Sequence, residues 1–198
     1  MHDHLRHGSY SSAPKEYKGN IVDRVSIEER PTVINERSRL GDFEIDLIVG
    51  PKNKGAILSM IDRSSRYTIL HKLTGKTALE VEESVIKALS EYDGSKHSIT
   101  SDNGTEFTNH KAISKSLGVQ YYFAHPYASY ERGSIENLNG LVRQYIPKGT
   151  DFSEISADFV KAIQHKLNKR PRKVLGQIKL VNATKHLSFT PSKNQKVA

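Results

Sequence analysis

The chain has 198 residues and carries 30 Lys and Arg against 22 Asp and Glu, a formal net charge of +8, with no cysteine. The lack of cysteine excludes a disulfide framework and any thiolate metal site. No apolar run approaches the roughly 18–20 residues that cross a bilayer, and the opening MHDHLRHGSYSS lacks the apolar core of a signal peptide, so the expectation is a soluble, cytoplasmic protein of one domain of about 100–200 residues with tails.

The positive charge is unevenly spread: residues 1–41 balance at +1, residues 42–136 at −2 and residues 137–198 at +9. A basic last third beside a slightly acidic middle suits a cation site with a phosphate-binding surface next to it, although a solvated Lys-rich surface has the same composition.

Met1 to about Asn20 is polar and without a sustained period, and reads as a flexible lead. His2, His4 and His7 lie there with no geometry favouring a metal site. Residues 21–41 lead into the core, with a helical turn or two after Pro31 that packs Val33 and Ile34 inward. In GDFEIDLIVG, Phe43, Ile45, Leu47 and Val49 alternate with Asp42, Glu44, Asp46 and Ile48, the period of a strand with one apolar face. GAILSMID and RYTILHKL, joined through Arg63-Ser64-Ser65, read as a hairpin, with Asp62 at the turn in a hydrogen-bonding role. Thr77 and Glu80 form a capping-box pattern opening a helix with Val81, Val85, Ala88, Leu89 and Tyr92 on one stripe and Asp93-Gly94 at its end.

His97 to Ser101 is β-prone, and Asp102 follows it directly, before the turn dipeptide Asn103-Gly104. A second helix is expected over Glu106 to Leu117, with His110, Ile113 and Leu117 along one side and Gly118 as its stop, then a buried strand from Val119 to Phe123. His125 to Tyr130 connects to the next helix, and its aromatic rings and Ser129 suit either base contact or packing. Glu136 stands 34 positions after Asp102, where Leu138, Leu141, Val142 and Tyr145 recur at helical spacing. Glu136, Asn139, Gly140 and Arg143 share one stripe, which Gly140 keeps open. From Ser153 a last amphipathic helix buries Ile155, Phe159, Ala162, Ile163 and Leu167. Pro171 ends it within a cluster of Lys169, Arg170, Arg172 and Lys173 that suits phosphate. This order of elements implies an α/β sandwich with a mixed sheet.

Three carboxylates, Asp46, Asp102 and Glu136, are thus candidates to converge from two strands and a helix, with Glu131 a rival for the third place. Hard divalent ions take such oxygen ligands together with substrate phosphates, and two ions roughly 3.5–4 Å apart can activate the attacking oxygen and stabilise the leaving one in phosphodiester chemistry.

GDFEIDLIVG, KGAILSMIDRSSRYTIL, TSDNGTEF, YASYERGSIENLNGLVRQYIPKGTDF and LNKRPRKVLG resemble successive blocks of the bacterial insertion-sequence-thirty transposases, within the retroviral-integrase superfamily. The resemblance runs over about residues 20–176. It implies a ribonuclease H-like fold over residues 42–176, a mixed central sheet flanked by helices. Asp46, Asp102 and Glu136 fall on the family's acidic triad, which would hold two Mg²⁺ or Mn²⁺ ions. The implied activity is metal-dependent strand cleavage and strand transfer on DNA, with transposon ends and target as partners, room for a homo-oligomer on DNA, no membrane, and a place at the bacterial nucleoid. Arg143 would contact phosphate, and Asn103 and Asn139 would position the acids or DNA. A nuclease using the same acids and a non-catalytic DNA-binding remnant are the rival readings. The family's N-terminal helix-turn-helix has no counterpart in residues 1–20, and QIKLVNATKHLSFTPSKNQKVA departs from the family after Gly176. The expectation is therefore a truncated copy with a divergent, flexible tail over residues 177–198.

Overall fold

The computed structural model describes residues 21–171. The readings of residues 1–20 with their histidines, of Arg172 and Lys173, and of the stretch from 172 through the tail lie outside them. Five strands form one sheet: β1 Asp42–Val49, β2 Ala56–Asp62, β3 Thr68–Leu73, β4 Ser98–Ser101 and β5 Gln120–Phe123, in the order β3-β2-β1-β4-β5. The expected hairpin is present, with β2 antiparallel to both β1 and β3, while β4 runs parallel to β1 and β5. A short helix, α1 Thr32–Asn35, precedes the sheet and buries Ile34.

The apolar alternation of β1 does what its period requires on one face. Phe43, Ile45 and Leu47 pack with Leu58, Met60, Ile69 and Ile99 beneath α2 Ala78–Ser90 and α3 His110–Leu117. The other face is also covered, by α4 Gly133–Arg143 and α5 Ala157–Asn168 over Ile48, Ile57, Ile61 and Leu70. The polar side of β1 is therefore buried rather than solvated, and Asp42 and Glu44 are both fully inaccessible. Each is neutralised locally. Arg39 forks onto Asp42 at 2.8 and 3.0 Å and Ser98 Oγ donates to it at 2.6 Å, while Glu44 pairs with the guanidinium of Arg63 and accepts the backbone N–H of Ile135 at 2.9 Å. Asp62 plays the structural part expected of it, accepting from Gly41 N and Ser65 N, both at 2.6 Å. Gly41 is obligatory here: its φ is +92°, and a Cβ would stand 2.4 Å from the carbonyl oxygen of Ser95.

Several boundaries differ from the sequence reading. The expected helix over 106–117 is broken into a 3₁₀ turn at Thr105–Phe107 and α3 from His110, ending as expected at Gly118 with φ +65°. Thr77 caps α2 through Glu80 N, but the Glu80 carboxylate turns to Thr74 and Gly75 instead of closing the box, and α2 stops at Ser90, before Asp93-Gly94. In α5 the buried stripe is Val160, Ile163 and Leu167; Phe159 and Ala162 are exposed. The helix itself begins after Ser156, whose side chain accepts from Phe159 N, and Ile155 is buried just before it. Polar residues on the buried face are used: Asn168 exchanges two hydrogen bonds with the backbone of Thr68, and Gln164 accepts from Leu70 N.

Glu44→Ala leaves Arg63 buried without its counter-charge and removes the acceptor for the first turn of α4. The expected cost is about 3–5 kcal/mol of folding free energy, read by urea denaturation. A loss below about 1 kcal/mol would show that Glu44 does not anchor α4.

Candidate active site

The pairing of β1 with β4 covers Asp42–Glu44 against Ser98–Thr100 and goes no further. Continued by two residues, that register sets Asp46 opposite Asp102, and there the two parallel strands part at their carboxyl ends, where open α/β sheets form crevices. Alternation puts Asp46 on the same side of β1 as Glu44, beneath α4. Asn139 of α4 donates from Nδ2 to Asp46 Oδ2 at 2.9 Å, and its own Oδ1 is fixed by Ser59 Oγ at 2.7 Å. Leu47 N donates to Asp46 Oδ1 at 2.9 Å, so both carboxylate oxygens are oriented. Asp102 is held by Gly104 N at 3.0 Å through the turn that Asn103-Gly104 makes.

Arg132 joins the two acids. Its Nη1 lies 3.6 Å from Asp46 and its Nη2 lies 3.4 Å from Asp102, while its Nε and Nη1 are buried with no hydrogen-bond partner. Arg132 is not among the candidates that the sequence suggests, and its one signal there is spacing: it stands four residues before Glu136 and seven before Asn139, on the same stripe. Glu106 is a second residue that sequence reasoning missed. Its carboxyl group lies over Gly104, where a Cβ would meet it at 2.6 Å. Burial pushes the Asp46 carboxyl up to about 6, with the charges of Asp102 and Glu106 adding to the rise and Arg132 and the Leu47 N–H opposing it.

Glu136 is exposed on α4, one turn from Arg132. Among the described residues no three His, Asp or Glu side chains stand close enough together to hold a metal ion. The structure thus brings Asp46 and Asp102 together across Arg132 and leaves Glu136 on the adjacent turn. Glu131, the rival acid, is engaged elsewhere, accepting from His125 N at 2.8 Å and contacting its ring Nδ1 at 2.8 Å. The space beside Gly140 is open, and a Cβ there would meet nothing within 4 Å, so glycine is not required at that place.

The candidate DNA contacts divide. Asn139 orients an acid. Asn103 ties the end of β4 to the end of β5, donating to Ala124 O at 2.7 Å and accepting from Arg24. Arg143 is turned inward: it donates to Val49 O at 3.1 Å and lies over the Phe152 ring at 5.6 Å. Lys169 is exposed, whereas Arg170 donates to the Tyr145 hydroxyl at 2.9 Å. A cavity of about 220 Å³ opens beside the acids, lined by Asp102, Asn103, His125, Pro126, Tyr127 and Arg132, with Tyr127 and Tyr130 exposed nearby.

A mixed sheet in this order with acids at the parted ends of β1 and β4 defines a ribonuclease H-like, integrase-type core, and residues 40–129 match the model for the integrase core domain. Over most of its length the chain is similar to insertion-sequence transposases. It is 45% identical over 182 residues to the transposase for insertion sequence element IS4351 of Bacteroides fragilis, covering 90% of this chain and 56% of that protein. It is 40% identical over 174 residues to transposase InsI for insertion sequence element IS30A of Escherichia coli K12, covering 86% and 45%. The chain spans about half the length of these relatives. A solved intasome of simian T-cell lymphotropic virus, in complex with the PP2A regulatory subunit B56 gamma, shares the fold at a TM-score of 0.61 and 17% identity, over 80% of this chain and 59% of that one. Integrase-core proteins generally use divalent metal ions. No helix among the described residues is long and apolar enough to cross a membrane.

Because the Asp46 carboxyl is raised to about 6 from an ordinary 3.8, its ionisation works against folding: the penalty builds as pH rises from about 4 to 6 and is complete above 6. Asp46→Asn in metal-free buffer should therefore stabilise the fold by up to about 3 kcal/mol at pH 8 and by much less at pH 4. Thermal unfolding at the two pH values reads the difference, and an equal effect at both would contradict it.

Proposed function

We propose that this chain is the catalytic part of a DNA transposase, with residues 42–176 forming the catalytic domain, residues 21–41 leading into it, and Asp46, Asp102 and Glu136 as its metal-binding acids. The observation that carries the reading is the meeting of Asp46 and Asp102 around a buried guanidinium, beside the helix that bears Glu136. Two aspartates close enough to share one cation are a site that attracts positive charge, and their oxygens are the donor type that Mg²⁺ and Mn²⁺ select. Two bound ions would activate the attacking oxygen and stabilise the leaving oxygen in phosphodiester cleavage and strand transfer.

The residues of the chain supply the rest. Asn139, backed by Ser59, orients the Asp46 carboxylate, and Gly104 N orients Asp102. Arg132 keeps the two acids together and lies close enough to the cavity beside them to meet a scissile phosphate there. Tyr127 and Tyr130 offer exposed rings to unpaired bases of a DNA end. Lys169 and Arg170 offer cations to the DNA backbone, and Arg172 and Lys173 follow them in the sequence. Asn103 serves by fixing the Asp102 turn. Arg143 contributes mainly by pinning the end of α4 to β1, which keeps the Glu136 stripe in place. Transposon ends and target DNA are the substrates, a homo-oligomer assembles on them, and the site of action is the bacterial nucleoid.

Asp46→Asn, Asp102→Asn and Glu136→Gln should each reduce Mn²⁺-dependent cleavage and joining of DNA ends to background while circular dichroism stays unchanged. A variant that retained normal cleavage would remove its residue from the site, and cleavage without any joining would assign the chain to the nucleases. Since the Arg132 guanidinium competes with divalent ions for the two aspartates, Arg132→Gln should tighten Mn²⁺ binding several-fold in calorimetry yet slow strand cleavage. Weakened Mn²⁺ binding would instead make Arg132 a support that the acids need.

A further inference from the structure

On another side of α4 lies a second cavity, of about 400 Å³, lined by Arg37, Arg66, Thr68, Ser134 and Asn137 over a floor of Ile61, Leu138 and Leu141. Gly133, Asn137 and Leu141 follow one another at four-residue spacing, so they form a row about a third of a turn round the helix from the Glu136 stripe. The cavity is basic for reasons the surrounding pairs do not cancel. The guanidiniums of Arg37 and Arg66 line it with that of Arg63 close by; Glu44 pairs with Arg63, and the buried Asp62 near Arg66 already accepts from Gly41 and Ser65. Arg37 and Arg66 have no ion-pair partner among the described residues. Arg66 is half-buried, and burial together with the charge of Arg37 lowers its affinity for its own proton. It is aimed at the start of α4, donating to the hydroxyl of the buried Ser134.

Like charges brought together and partly desolvated repel one another, and the arrangement is relieved when an anion enters between them. The donors around the cavity are the fork-shaped guanidiniums, a hydroxyl and an amide, the groups that grip phosphate oxygens, and the positive end of the α4 dipole points the same way. Among the described residues no aromatic ring and no carboxylate lines the cavity. The lining suits a phosphodiester backbone held by charge and shape, without reading of its bases.

We infer that the Arg37–Arg66–Ser134–Asn137 cleft is a second DNA-backbone site that grips a phosphate of duplex DNA on a different flank of α4 from the acids. The inference rests on the DNA-acting function proposed above. It places the bound duplex across α4, with one stretch at the acids and another in the cleft.

The test is the salt dependence of duplex DNA binding by the full chain, measured by fluorescence anisotropy, with inorganic phosphate as a separate ligand. Removing one phosphate interaction should lower the slope of log affinity against log salt by about 0.9 on duplex DNA. The double variant Arg37→Gln/Arg66→Gln should lower it by about 1–2, while Mn²⁺ binding stays as in the parent. Because Arg66→Gln also deletes the hydrogen bond to Ser134 at the start of α4, Arg37→Glu serves as the second variant. The Arg37 side chain makes no hydrogen bond among the described residues, and reversal of its charge should weaken duplex binding with no change in melting temperature. An unchanged slope and affinity in both variants, with the parent binding DNA normally, overturns the inference and leaves the proposed function standing. A parent chain that does not bind duplex DNA removes both. Binding of inorganic phosphate that depends on Arg37 and Arg66 while DNA binding does not would assign the cleft to a free anion and also overturn it.

Discussion

The buried carboxylate of Glu44 is the constraint on which the rest of the site depends. A carboxylate with no solvent access is tolerable only if its charge is matched and its oxygens accept hydrogen bonds. Arg63 and the N–H of Ile135 meet that need, and in doing so they join β1, the turn after β2 and the first turn of α4. Since Glu44 and Asp46 lie two residues apart on one strand, the start of α4 is fixed one strand step from Asp46. Arg132, Glu136 and Asn139 then fall into place along that helix.

The second organising feature is the parting of β1 and β4 after Glu44 and Thr100. Paired strands offer no room between them, and parted ones do. Asp46 and Asp102 occupy the gap, and their repulsion is managed by Arg132 between them and by hydrogen bonds from Leu47, Asn139 and Gly104. The elevated proton affinity of Asp46 records how incompletely this is compensated, with burial as the main cause. A folding penalty concentrated on a candidate ligand is the pattern expected where stability is traded for chemistry.

Charge is also sorted around α4. The acids and the Arg132 guanidinium meet at one side, Arg37 and Arg66 gather at the neighbouring side, and Ile135, Leu138 and Val142 pack the helix on the sheet. One helix of eleven residues therefore presents two chemically different surfaces while its third side holds the core together.

Local pattern alone determined much of this protein. The two-residue period of Phe43 to Val49, the hairpin, the stop at Gly118 and the order of strands and helices follow from steric and hydrophobic rules that act over a few residues. The candidate acids were legible for the same reason: a carboxylate at a strand end before Asn103-Gly104, and another on a helical stripe, are local features. Tertiary structure decided what those side chains meet. Burial of the polar face of β1 depends on α4 and α5 covering it, and contacts between residues about ninety positions apart, such as Glu44 with Ile135 and Asp46 with Asn139, leave no trace in sequence spacing. Arg143 was expected at phosphate and is held by Val49 O, because a long side chain goes to the acceptor that the packing places within reach. Arg132 and Arg66 read as ordinary basic residues, since a cation's importance depends on whether an acid, a hydroxyl or another cation stands beside it, and only the folded chain sets those distances.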